Sequence, residues 1–213
     1  MPVDAGASRH GVVYQREQYD KGGLGRAYWD YRDGRIIESI GAGGGRIADV
    51  GCGEGVLLEK LLMRYPASEV EGLDMDPLNV EICETLGLPV RLAGAYELPY
   101  PDHSVDVCLF IEVIEHLDDP ARAITELRRV LKPGGRLITL FPNDYTFKLA
   151  RLLTLRFKEA FYDAGHLRQW TPRAMREALT AGGFSVLSEK SLPINFFPLA
   201  LHHLTVAAAP PGA

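Results

Sequence analysis

The sequence predicts an α/β domain built on a doubly wound, mostly parallel sheet, and three observations carry that expectation. A short apolar strand, Ile47-Ala48-Asp49-Val50, runs straight into the glycine-rich turn Gly51-Cys52-Gly53-Glu54-Gly55, which opens a helix. Glycines there remove the Cβ atoms that would hold a ligand away from the backbone, and the helix points its first N–H groups at the same spot. Asp74 ends a second apolar strand 21 positions after Gly53, close to the roughly 20 expected of an acid that accepts hydrogen bonds from ribose hydroxyls. Beyond it, strand and helix patterns alternate through most of the chain, which implies parallel strands joined by right-handed crossovers.

Taken in order, residues 1 to about 20 read as loosely ordered, and the segment from Tyr28 to Ile40 reads as a helix closed by the glycine run 41–45. Strands are expected near 46–50, 69–74, 89–93, 105–111 and 135–141, with helices near 55–64, 77–86, 119–131 and 172–181. Two last strands follow at 184–189 and 201–207, and residues 209–213 are expected to fray. Within the insertion before the last helix, Phe147, Ala150, Leu153, Leu155 and Phe157 alternate with Lys148, Arg151, Arg156 and Lys158. That pattern reads as a basic amphipathic lid helix packed on the domain, with a docking surface for an anionic or lipid-linked substrate as the second reading. A single domain over 1–213 is expected, with an N-terminal lid and helix at 1–40 and a lid insertion at 144–170.

Bulk properties narrow the function. At 213 residues and 46% hydrophobic composition there is material for one substantial core. A net charge of −5 and a pI near 5.7 argue against extensive nucleic-acid binding, which needs a surplus of Lys and Arg. Cys52, Cys83 and Cys108 lack metal-ligand spacing and read as reduced thiols. The first residues lack a signal-peptide pattern and no apolar run is long enough to span a bilayer, so a soluble, cytoplasmic protein is expected.

Six segments in one order carry a family resemblance: Asp49-Val50-Gly51-Cys52-Gly53-Glu54-Gly55, Gly72-Leu73-Asp74-Met75-Asp76, Leu98–Asp106, Glu112-Val113-Ile114-Glu115-His116-Leu117, Val130–Leu137 and His166–Pro172. With them the chain resembles a class I S-adenosylmethionine (SAM)-dependent methyltransferase of the small-molecule group that includes the ubiquinone-pathway O-methyltransferases. The resemblance implies a seven-stranded Rossmann-like sheet with an antiparallel last strand, and SAM as cofactor. It places the backbone around Asp49, Gly51, Cys52 and Gly53 at the methionine end, Asp74 at the ribose, and Met75 against the adenine. One departure stands at Gly94, where relatives often carry an Asp that reads the adenine amino group; backbone groups of Ala95, with Tyr96 or Glu97 nearby, are the expected substitutes. Glu112 completes the cofactor-binding set, and Tyr19 is the expected contact from the N-terminal lid.

Helical spacing after the fourth strand would put Glu112, Glu115 and His116 near one face. His116 is the expected general base for a hydroxyl acceptor, since an imidazole titrates near neutrality. Glu112, Glu115, His116 and His166 also resemble the divalent-metal site of small-RNA 2′-O-methyltransferases, but the same residue types serve metal-free relatives. The four side chains are therefore expected to stand apart, with no metal. The reading is SAM-dependent methyl transfer to a small molecule, at oxygen. The alternatives are metal-assisted RNA 2′-O-methylation and a non-catalytic SAM-fold binding protein, and peripheral contact with a lipid-linked substrate remains open.

Overall fold

The structure is a computed structural model and describes residues 15–143, 145–146 and 166–211. Its seven strands are β1 (Arg46–Val50), β2 (Glu69–Asp74), β3 (Val90–Leu92), β4 (Val105–Ile111), β5 (Leu131–Pro142), β6 (Ser185–Leu192) and β7 (His202–Ala208). They form one sheet in the order β3-β2-β1-β4-β5-β7-β6. The first five pair in parallel, and β7 runs antiparallel between β5 and β6. The chain therefore starts mid-sheet, winds out to β3 and returns to β4, which puts the switch point between β1 and β4, where doubly wound sheets bind ligands.

Among the described residues six helices cover the sheet: α1 (Gln15–Asp20), α2 (Gly23–Ile40), α3 (Val56–Arg64), α4 (Pro77–Thr85), α5 (Pro120–Val130) and α6 (Pro172–Ala181). The last three begin alike, with an acid or hydroxyl side chain capping the first turn and proline just inside it. Asp76 accepts from Leu78 N, Asp119 from Arg122 N and Thr171 from Ala174 N. Side chains alternate across β4, so Cys108 and Phe110 join α5 and α6 in one core while Val107, Leu109 and Ile111 meet α2 and α3 in the other. Leu58 and Leu61 of α3 are fully buried, each worth about 1.5–3 kcal/mol relative to exposure.

Several expectations needed correction. Residues 15–20 are helical, not loose, because the Glu54 carboxylate accepts from the backbone N–H groups of Gln15 (3.2 Å) and Arg16 (2.7 Å) and so caps α1 from across the fold. Helix α2 begins at Gly23, ahead of the expected start at Tyr28. Strand β5 begins at Leu131, directly after α5, and Leu131 pairs with Val105 before the Pro133-Gly134-Gly135 stretch shifts the register. Ala209 is buried and exchanges backbone hydrogen bonds with Gly134 and Gly135, so it does not fray. The basic segment 147–158 lies outside the described residues. No helix among the described residues is long and apolar enough to cross a membrane.

Candidate active site

The glycine turn is fastened to β2 before any ligand is considered. Gly51 N and Cys52 N both donate to Leu73 O, at 2.7 and 3.0 Å. Asp74 Oδ2 accepts from Gly53 N at 2.8 Å, and Oδ1 accepts from Asp76 N at 2.9 Å and from Asn79 Nδ2 at 3.2 Å. The separation of 21 residues between Gly53 and Asp74 is thus a direct contact. Gly51 is required twice over: its φ is +81°, and a Cβ there would stand 2.3 Å from Val113 Cγ2. Part of the close approach expected of a ligand is therefore made by the chain itself.

Between this turn, the end of β4 and helix α2 lies a cavity of ≈ 30 Å³, walled by Gln15, Trp29, Arg32, Asp49, Gly51 and Glu112 among others. Ligand pockets run to about 300 Å³ or more, so this cavity is far smaller than one, with α1 tied across the turn at Glu54. Gln15 Oε1 would lie 2.8 Å from a Cβ on Gly53, which places its side chain in the cradle that the glycines leave. Asp49 is fully enclosed and its Oδ2 has no hydrogen-bond partner among the described residues. Burial, reinforced by Asp33 and Asp74, pushes its carboxyl up to about 7. A buried carboxyl oxygen without a partner beside a glycine turn is a group whose hydrogen-bonding capacity is left for something other than the described residues.

Arg32 is absent from the site residues expected from the sequence, whereas Trp29 belongs to the N-terminal lid and helix expected at 1–40. Arg32 Nη1 donates to Glu112 Oε2 at 2.6 Å, while Nη2 pairs with Asp33 Oδ1 at 2.9 Å. Lys60 Nζ reaches Asp33 Oδ2 and Asp30 Oδ1, both at 2.7 Å. Glu112 also accepts from His202 Nε2 at 2.9 Å. Burial alone would raise the Glu112 carboxyl, but Arg32 and then His202 outweigh it and hold the group well below the usual carboxylate range. Tyr19, the expected lid contact, donates instead to Asp30 Oδ1 at 2.6 Å and stacks on Trp29 at 6.1 Å. Its place is behind Trp29, which itself lines the cavity.

On the expected adenine side, Met75 is 75% exposed, which excludes a core role and leaves an apolar side chain beside Asp74. Around Gly94 a Cβ would meet nothing within 4 Å, so the missing carboxylate leaves open space. Tyr96 turns away: its hydroxyl donates to Asp118 Oδ1 and accepts from Asp119 N at 3.1 Å, with Arg122 over the ring at 5.0 Å. Ala95 is half-buried against the core that holds Cys108 and Phe110 of β4.

After β4 the expected helical face does not form. Glu112 takes a left-handed backbone (φ 55°), and only a single 3₁₀ turn, Ile114–His116, follows. Glu112 consequently swings to Arg32 and His202, while Glu115, His116 and His166 gather with one donor atom from each within 4.8 Å of the others. The imidazoles of His116 and His166 meet edge to face at 4.8 Å. Backbone N–H groups of Leu167 and Arg168 donate to Glu115 O, at 2.8 and 3.3 Å, and this brings position 166 across fifty residues of sequence. The expectation that these side chains stand apart is overturned for three of the four. Glu112 falls outside the group.

Residues 48–139 match the methyltransferase domain family. A probable S-adenosylmethionine-dependent methyltransferase of Mycolicibacterium smegmatis is 33% identical over 163 residues, covering 75% of this chain and 60% of that protein. A ubiquinone biosynthesis O-methyltransferase of Cereibacter sphaeroides is 36% identical over 113 residues, covering 49% of this chain and 45% of the relative. The chain thus spans about half to three-fifths of the length of these curated relatives. Among solved structures, a SAM-dependent methyltransferase of Thermotoga maritima, described as a possible histamine N-methyltransferase, superposes with a TM-score of 0.67 at 21% identity, covering 92% of this chain and 96% of that one. The geranyl diphosphate C-methyltransferase of Streptomyces coelicolor gives 0.65 at 15% identity, over 86% and 80% of the two chains. The fold is that of these enzymes.

Proposed function

We propose that this chain, a relative of SAM-dependent methyltransferases that matches their methyltransferase domain over residues 48–139, binds SAM at the carboxyl edge of β1 and β2 and transfers its methyl group to the oxygen of a small molecule. The observation that carries the reading is the glycine turn locked to Asp74 beside the enclosed Asp49. SAM supplies an electrophilic methyl group on a sulfonium centre, and the protein's task is to hold donor and acceptor in line. Asp74 retains acceptor capacity for ribose hydroxyls beyond its bonds to Gly53 and Asp76. Arg32 is the guanidinium that walls the cavity and suits a carboxylate, whereas Asp49 and Glu112 suit the ammonium and sulfonium. Met75 offers an exposed apolar face to a flat ring.

Support for oxygen as the acceptor comes from His116, an exposed imidazole just after β4 whose chemistry suits uptake of a hydroxyl proton, and from the similarity to ubiquinone-pathway O-methyltransferases. Incubating the protein with SAM and a panel of phenols, hydroxy acids and amines, and quantifying S-adenosylhomocysteine, tests it. Hydroxylated acceptors should raise homocysteine-nucleoside release at least tenfold over the acceptor-free rate. Stimulation by amines alone would replace oxygen with nitrogen as the target.

The grouping of Glu115, His116 and His166 favours a second reading, in which a divalent cation assists the transfer. Mixed oxygen and imidazole donors suit Mg or Mn, and an ion there would acidify the acceptor hydroxyl. In that case EDTA abolishes turnover and added Mn restores it; under the metal-free reading EDTA has no effect. The net charge of −5 supports a small acceptor over an RNA strand in either case.

A further inference from the structure

Glu112 is held from two elements at once. Arg32 of α2 donates to its Oε2 at 2.6 Å, and His202, at the start of β7, meets its Oε1 at 2.9 Å. Behind His202, the Tyr28 hydroxyl of α2 lies 2.7 Å from Nδ1, and the two rings stack at 5.7 Å with 17° between their planes. The direction of these bonds is fixed by chemistry. A carboxylate can only accept, so Nε2 carries the proton; in the neutral imidazole Nδ1 then accepts and the Tyr28 hydroxyl donates. Burial lowers the His202 imidazole below its ordinary range, against the pull of Glu112, which keeps it neutral in this tautomer near pH 7.

Neutralising Glu112 needs only Arg32. A second donor, itself oriented by a third group, fixes direction as well as charge. Side-chain exposure shows where that direction leads: Arg32 retains 8% and His202 2%, whereas Glu112 retains 32% and walls the cavity. Its left-handed backbone, unusual for a non-glycine residue, is a conformation that structures keep where a side chain must be aimed.

We propose that His202 and Tyr28 are positioning residues which, with Arg32, hold Glu112 as an oriented anion in the cofactor cavity, and that this anion favours the charged sulfonium of SAM over the neutral thioether of S-adenosylhomocysteine. The proposal rests on the reading that the cavity binds SAM. Donor and product differ there by one methyl group and one positive charge. A fixed carboxylate in a site shielded from water acts on that difference, whereas a loose one would be swamped by solvent.

Titration calorimetry with SAM and with S-adenosylhomocysteine, on the full chain, tests it. In His202→Ala the affinity for SAM should fall about tenfold more than the affinity for the thioether, the scale of a lost hydrogen bond to a charged group. His202→Gln keeps a donor towards Glu112 and should recover most of the difference. Tyr28→Phe removes one hydroxyl and should shift the ratio in the same sense by a smaller factor, which keeps the test alive if the alanine variant does not fold. In a Glu112→Gln background, changing His202 should leave the ratio where Glu112→Gln alone puts it. Equal losses for both ligands in a folded His202→Ala chain, or an unmoved ratio in the folded Tyr28→Phe variant, combined with normal binding by the native chain, would overturn the positioning role alone. Failure of the native chain to bind either ligand would overturn the cofactor reading, and this proposal with it.

Discussion

Replacing Arg32 by alanine is expected to cost about 3–5 kcal/mol of folding stability, the range for stranding one partner of a buried ion pair. The substitution leaves the fully buried Asp33 with Lys60 alone and frees Glu112 Oε2, so two carboxylates in one corner lose their shared guanidinium. Since whole domains hold only about 5–15 kcal/mol, the loss should be plain in urea unfolding. Arg32→Lys should recover only part of it, because an ammonium cannot bridge Asp33 and Glu112 with the geometry of a planar fork. A change under about 1 kcal/mol for Arg32→Ala would mean that the network contributes little to folding.

His116→Ala is expected to lower turnover by about 10²–10⁴ while leaving SAM affinity nearly intact. The side chain is exposed, at the rim and not in the core, so the unfolding midpoint should barely move. Rate measurements across pH separate its two roles. A general base leaves a limb of the native profile that disappears in the variant, whereas a metal ligand makes the native rate depend on added Mn. Loss of cofactor affinity, or of stability, with turnover per bound SAM unchanged would contradict both.

The site's frame was legible in the sequence because its parts are local. Gly51, Gly53 and Gly55 announce a turn that only glycine can make, and Asp74 stands where a parallel neighbour must bring it. What was not legible is tertiary. Arg32, Ile36 and Ile40 recur every four residues on one face of α2, so a charge in an otherwise apolar stripe was visible in principle; its partners, 80 residues away at Glu112 and next door at Asp33, were not. His202 gave no signal at all, since its role depends on β7 entering the sheet beside β5. Glu112 misled for a local reason. The pattern Glu112-Val-Ile-Glu115-His116 has helical spacing, yet the backbone turns left-handed at Glu112 and sends it away from Glu115 and His116. The meeting of His166 with Glu115 likewise depends on two backbone hydrogen bonds that no spacing rule contains.

The central claim is that the glycine turn and Asp74 form a SAM site, and calorimetric titration of SAM into the native chain and Asp74→Ala tests it most directly. Saturable binding to the native chain is expected, weakened in the variant by about 1.5–3 kcal/mol, the worth of a hydrogen bond to a charged acceptor. The variant's unfolding should be followed in parallel, because Asp74 also anchors Gly53 N and Asp76 N. No saturable heat from the native chain, or equal affinity in a folded Asp74→Ala protein, would contradict the account.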